Sequence, residues 1–467
     1  MLYSKKHNQS KKSTFRGIGW LILGGFLILG SSLAAARVKN QPGQISGSSK
    51  SAVPQVIKSV LPNGLTLLFK PNLANEVVVV NLYVKSGPLY EELSQRGISS
   101  LTQKVLIRGS QSRTAREIAA ETESVGAQIS AGVAGDYGYV SLLTTVAGLD
   151  KGLEVFLDLL RDPAFTDSEI EKEKQMLIES LAAREDQPFN AAYLCFTRNF
   201  YSGHPLGVAT ADLISSIRKL TRRDLLDWYK RTYVPNNMVI STVGKIDPVS
   251  LRQKFQAALG KLAPGKTPPL ITSSVKPPTE NRVEYLKKDT NALFLVLGYP
   301  APDLNSKDAL VMNVINRILG GGSDSRLYLE LREKRGLAYS VYTGYNKMSQ
   351  NSHIYAIMAT APDNWSEARD GIVKEFKRLT TETVSAKALT MAKQAICGSF
   401  LMSHETNEAQ SSLLGRFELL GLGHEYDQQY PKLIRQVTAA DIKRVARKYF
   451  SYYTLGVVTA NPPESGN

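Results

Sequence analysis

Residues 220–244 read LTRRDLLDWYKRTYVPNNMVISTVG, and residues 437–461 read VTAADIKRVARKYFSYYTLGVVTAN. Each stretch sets a Thr three residues before an Asp: Thr221 with Asp224, and Thr438 with Asp441. A hydroxyl just before the first turn, with an acid inside it, marks a helix start. Both stretches then pass through a basic amphipathic segment into an apolar run that predicts a strand. The two are offset by 217 residues. At offsets of 219 and 220, Lys174-Gln175 answers Lys393-Gln394 and Gly203-His204 answers Gly423-His424. Several near-equal offsets identify a duplicated domain.

The boundaries follow from composition. LAPGKTPPLITSSVKPPTEN (262–281) holds five prolines and few core formers, so it reads as an extended linker. The expected organisation is one half over 55–262, a Pro-rich linker over 263–281 and a second half over 282–462. Upstream, a basic start leads into GIGWLILGGFLILGSSLAAA (17–36), which ends in Ala34-Ala35-Ala36. Residues 1–36 therefore read as a signal peptide or signal anchor, and residues 37–54 as a polar tether. The positive-inside rule places the bulk of the chain across a membrane from the cytoplasm, with membrane contact only through this segment.

Within the first half, VLPNGLTLLF (60–69) carries Asn-Gly between apolar runs, a hairpin signal. VVVVNLYVKSG (77–87) predicts a strand. GISSLTQKVLIRG (97–109) predicts a helix, because Ile98, Leu101, Val105 and Leu106 form one apolar stripe. A second helix near TAREIAAETESVGA and two strands about a Gly-rich bend in QISAGVAGDYGYVSLLTT follow. Two long helices (149–160 and 167–200), a helix over 221–232 and a strand over 238–243 close the half. The expected class is α+β: two homologous halves, each a mostly antiparallel sheet with helices packed on one face.

Composition narrows the function. Apolar residues make up 43% and charged residues 21%, enough to bury substantial cores. The formal charge is +15, but Lys5, Lys6, Lys11, Lys12 and Arg16 supply five of those charges ahead of the first acid. No dense basic run interleaved with aromatics follows, which argues against nucleic-acid binding. Cys195 and Cys397 are the only cysteines. Two buried thiols are the plain expectation, with a disulfide left open. The chain has no Walker-type glycine loop, no Gly-x-Ser-x-Gly elbow and no His pair at i, i+4. His404 and Glu408 could share a helix face, but two weak ligands make no site.

The order of elements, with PNGLTLLF, REDQPFNAA (184–192), GHPLG (203–207) and SRLYLELREKRGLAYSV (325–341), resembles peptidase family M16, the pitrilysin/insulinase zinc peptidases. It is most similar to their mitochondrial-processing-peptidase-like branch, which implies the LuxS/MPP-like metallohydrolase fold. Active members carry His-x-x-Glu-His on the helix that corresponds to residues 98–106. Two imidazoles one turn apart and a distal Glu hold zinc, and the inner Glu is the general base. Here the resemblance sets Ser100 and Lys104 at the His positions, Gln103 at the base and Ser180 at the distal Glu. Ser is a poor zinc ligand, Gln has no proton-accepting pKa, and an ammonium repels the cation. Glu179, one residue away, would turn about 100° off the pocket. Glu173 matches a family carboxylate, yet one acid cannot seat a metal.

The second half retains a different part of the pattern. Arg332 and Tyr339 keep the spacing of the pair that, in active relatives, holds the substrate backbone and stabilises the oxyanion. Gly320, Gly321 and Gly322 resemble the Gly-rich gating loop of the processing-peptidase partner subunit, and His204 matches the family as a structural loop residue. The resemblance therefore implies a chain with no catalytic residues or metal of its own. It would lend Arg332 and Tyr339 to a partner subunit bearing His-x-x-Glu-His and zinc, acting on unfolded peptide. A scaffold subunit of a membrane-associated complex and a solitary peptide-binding protein are the alternative expectations.

Overall fold

The computed structural model describes residues 55–271 and 275–462. The expected segments 1–36 and 37–54 lie outside the described residues, as do residues 272–274 of the linker.

The Asn63-Gly64 turn, with Gly64 at φ 91°, joins β1 (Ile57–Val60) to β2 (Thr66–Pro71). That backbone region favours glycine. The first half continues with β3 (Val77–Val84), α1 (Ile98–Leu106), α2 (Ala115–Ser124), β4 (Gln128–Val133) and β5 (Gly138–Thr145). Next come α3 (Leu149–Arg161), α4 (Asp167–Asp186), α5 (Pro188–Phe200), α6 (Thr210–Lys219) and α7 (Arg222–Thr232). β6 (Met238–Gly244) and α8 (Pro248–Leu259) complete it. One expectation is corrected here. The predicted helix over 167–200 is two helices, because Pro188 excludes the helical conformation from Gln187, which sits at φ −74°, ψ 120°. The pattern also missed α6 and α8.

The second half holds β7 (Arg282–Lys287), β8 (Leu293–Pro300), α9 (Asp308–Gly320), a π-helical turn (Tyr328–Lys334), β9 (Ala338–Asn346) and β10 (His353–Thr360). Then follow α10 (Trp365–Thr381), α11 (Ala386–Met402), α12 (Asn407–Leu419), α13 (Tyr426–Gln436), α14 (Ala439–Tyr449) and β11 (Thr454–Thr459).

The duplication holds in three dimensions. The first sheet runs β1-β2-β6-β3-β5-β4 and the second β7-β11-β8-β10-β9, so each strand of the second has its counterpart in the first. In both, the closing strand lies parallel to the first strand of the shared set and antiparallel to the second. α7 and α14 both start with a capping box, in which the Thr hydroxyl accepts from the Asp backbone N–H at 3.3 Å and 3.1 Å.

Each sheet is covered on its second face by a helix from the opposite half. α5 lies across β11, β8 and β7, whereas α12 lies across β6, β3 and β2. Both faces of the central strands are therefore dry, and β6 and β11 are buried at every position. Asn81 Nδ2 donates to Ser411 Oγ at 3.0 Å, and that hydroxyl donates to the Ser241 carbonyl at 2.9 Å, tying α12 to the first sheet.

Equivalent positions in the two contacts are filled in opposite senses. On the second sheet the large residue is on the helix. Phe196 of α5 sits over Gly298 and Gly456, where a Cβ at Gly298 would lie 2.6 Å from the Phe196 ring. On the first sheet the helix carries Gly415, 219 residues on, and the strands carry Tyr83 and Ser241, against which a Cβ at Gly415 would press. Close-packed interiors reward this, because total volume is kept while knob and hole trade places.

Candidate functional site

α1 begins at Gly97, held at φ 85°, and buries Ile98, Leu101 and Val105. Its free N-terminal amides are satisfied by a residue the sequence reading overlooked. Glu91, only 4% exposed, accepts from the backbone N–H of Gly97 at 2.9 Å and of Ser99 at 3.0 Å, and from the Ser99 hydroxyl. Burial nevertheless holds its carboxyl above the usual range. No local motif announces this cap, because the acid reaches back from a preceding turn.

The four positions of the zinc pattern lie on two helices that pack together, α1 and α4. Among the described residues no hydrogen bond joins any two of them. Ser100 and Lys104 stand one turn apart and are half-buried. Gln103 is buried, and its Oε1 accepts from the Tyr233 hydroxyl at 2.8 Å. Among the described residues its Nε2 has no hydrogen-bond partner, and it is buried against Gly138 of β5. Ser180 is exposed and donates to the Leu177 carbonyl at 2.8 Å. Glu179 is exposed and accepts from Gln175 along the same helix at 2.7 Å. Glu173, the surviving acid, is 1% exposed and bound to Arg108 at 2.5 Å. Zinc does not fit this set: its carboxylate is committed to a guanidinium, and the remaining donors are hydroxyls, an amide and an ammonium. Among the described residues no three His, Cys, Asp or Glu groups gather to hold a metal.

Arg332 and Tyr339 lie in the second half, each on a local departure from regular structure. Arg332 is exposed on the π-helical turn, its guanidinium 5.2 Å from the Tyr328 ring, and among the described residues it has no ion pair. Buried Leu331 anchors the turn beneath it. Tyr339 is the extra residue of a β-bulge in the edge strand β9: Ala338 pairs with Thr360 and Ser340 with Ala359, leaving Tyr339 between them. It is 60% exposed. π-turns and bulges cost regular pairing, and both concentrate where a side chain must be aimed. The spacing was legible in sequence, but the two distortions were not.

The glycines end α9. Gly320 packs so closely on β9 that a Cβ would lie 2.5 Å from the Thr343 backbone nitrogen. An Arg317–Asp324 ion pair at 2.7 Å spans Gly321 and Gly322. Gly320 is thus demanded by packing.

The histidines serve structure. His204 is buried, and its Nδ1 accepts from the Leu206 N–H at 3.1 Å. His353 lies between the hydroxyls of Tyr193 at 3.0 Å and Tyr201 at 2.6 Å, and burial drives it down to about 3, so it stays neutral. His404 pairs with Asp427 at 2.8 Å rather than with Glu408, its other nitrogen bonding the Phe400 carbonyl at 2.7 Å. The Asp427 bond holds its pKa above the ordinary value. Stability from this pair is complete below the ordinary histidine pKa of about 6.5 and is lost as pH rises through the raised value. His404→Gln should lower the urea midpoint by an amount equivalent to about 1–2 kcal/mol at pH 6 and by less at pH 8.5. An equal effect at both pH values would refute the charged pair.

Comparison with known proteins places these observations. A profile described as insulinase (peptidase family M16) matches residues 68–212, and one described as the peptidase M16 inactive domain matches residues 219–396. An uncharacterized zinc protease of Rickettsia felis is 26% identical over 402 residues, covering 86% of this chain and 96% of that protein. The crystal structure of a protease from Helicobacter pylori superposes with a TM-score of 0.80 at 21% identity, over 87% of this chain and 100% of that one. The structure of a peptidase M16 inactive domain from Pseudomonas fluorescens gives 0.79 at 21% identity, over 88% and 99%.

Proposed function

The chain belongs to peptidase family M16, and from that premise we propose that it is a degenerate member serving as the Arg/Tyr-bearing subunit of a two-subunit zinc peptidase. Its partner carries His-x-x-Glu-His, and the substrate is an unfolded peptide. The observation that carries the reading is the contrast between the two sites. The zinc positions hold Ser100, Gln103, Lys104 and Ser180, while Arg332 and Tyr339 stay exposed on a π-turn and a bulge. A scaffold would have no use for those two distortions.

The chemistry of this chain's own residues is then limited and specific. Arg332 offers fixed charged donors to a peptide carbonyl, and the Tyr339 hydroxyl donates to the negative charge that develops on its oxygen. No step runs through a metal on this chain. The N-terminal segment delivers the subunit across, or ties it to, a membrane. Among the described residues no helix is long and apolar enough to cross one.

Purified alone, the chain should hydrolyse no peptide and retain no zinc after dialysis, measured by metal analysis. Stoichiometric zinc would overturn the reading. Affinity capture from the native source should bring down a sister chain bearing His-x-x-Glu-His, and the mixture should cleave an unfolded peptide.

A further inference from the structure

A cavity of about 310 Å³ opens where the two halves meet, lined by neither α1 nor Arg332. The turn Ala134–Tyr137 between β4 and β5 forms one side, and the turn Asn346–Met348 between β9 and β10 faces it. The turns touch: a Cβ at Gly135 would lie 2.9 Å from the Met348 sulfur. One wall is aromatic. Phe400 lies 4.6 Å from Tyr430, and Phe417 5.0 Å from Tyr426, between ring centres.

The charged groups on this cavity do not balance. Lys347 is half-buried and, among the described residues, makes no hydrogen bond or ion pair. Burial, with Arg416 adding like charge, pushes its ammonium down to about 8. Arg416 donates to the Ser412 carbonyl at 3.2 Å and to the Tyr137 hydroxyl at 3.4 Å, and among the described residues to no carboxylate. Asp136 also lines the space, but its Oδ2 accepts from the Ser349 N–H at 2.8 Å and hydroxyl at 2.7 Å, and it pairs with neither cation. Lys347 is desolvated beside the like charge of Arg416, and the one acid on the cavity, Asp136, is turned to Ser349, so a bound anion would relieve that cost.

We propose that this seam is a binding site for a small organic carboxylate with an aromatic or branched apolar body, the anion on Lys347 and Arg416 and the body against Phe400, Phe417, Tyr426 and Tyr430. Ligand pockets begin near 300 Å³, so the space suits a body the size of one amino-acid residue. Such a carboxylate occurs either as a free acid or as the last residue of a peptide. An inorganic anion would leave the aromatic wall unused.

Calorimetric titration of the full chain tests this with N-acetyl-L-phenylalanine, its amide, and a decapeptide ending in Phe with a free or an amidated terminus. The free carboxylate should bind at least about tenfold tighter than the amide, the scale of one charge-assisted contact. Lys347→Met and Arg416→Gln should each remove that preference while the melting temperature holds or rises. Binding of both acids identifies a peptide terminus as the source, and binding of the small acid alone identifies a free metabolite. Equal affinity for acid and amide, no binding of either acid, or undiminished binding by both variants overturns the site.

Discussion

Arg332→Ala, assayed in the two-subunit enzyme, should lower turnover by about 10²-fold or more, the usual loss on removing an oxyanion donor. The loss should fall on kcat more than on KM if the guanidinium acts mainly as charge develops. Folding should be unaffected, because Arg332 is exposed and its guanidinium rests on the Tyr328 ring. Such surface changes usually stay within about 0.5 kcal/mol. Arg332→Lys should recover only part of the rate, since an ammonium lacks the planar fork. Tyr339→Phe should act in the same direction by deleting one hydroxyl. An unchanged rate in Arg332→Ala, with an intact complex, would end the shared-site reading while leaving the fold untouched.

Phe196→Ala should cost about 3–5 kcal/mol, read as a shift in the denaturant midpoint. The ring is fully buried and fills the space left by Gly298, while Gly456 lets the α5 backbone approach β11. It also packs 5.2 Å from the His353 ring, in the network that ties α5 to β10. Deleting it opens a cavity between the halves that the rigid strands cannot close. The reverse change, Gly456→Ala, should be damaging for the opposite reason, as its Cβ would meet the α5 backbone at Phe196 and Ala192. A loss below about 1 kcal/mol for Phe196→Ala would mean that the helix exchange is not what holds the two halves together.

Much of the candidate site was readable one residue at a time. Ser100, Gln103, Lys104 and Ser180 are unfit for zinc by residue chemistry alone, and the Arg332–Tyr339 spacing survives in the letters. What those letters did not carry was the fate of neighbouring groups. Glu173 lies 65 residues from the Arg108 that holds it, and Gln103 lies 130 residues from the Tyr233 that donates to it. The seam cavity draws Lys347 and Arg416 from separate elements, and neither stands out in sequence.

By itself the sequence determined the duplication, the class and most elements of the first half. Apolar period, Thr/Asp caps and the Asn63-Gly64 turn are local devices, each acting within a few residues and thus legible there. The run VVVVNLYV, interrupted only by Asn81, reads as a strand, without saying what dries its second face. Only the tertiary structure decided that α5 and α12 cross to the opposite sheets, that Phe196 and Gly415 trade knob for hole, and that Tyr339 is thrown out on a bulge. The bulge is set by pairing with Ala359 and Thr360 on β10, whereas the helix exchange depends on volumes and hydrogen-bond partners supplied from more than 100 residues away, and packing selects it only once the chain has closed on itself.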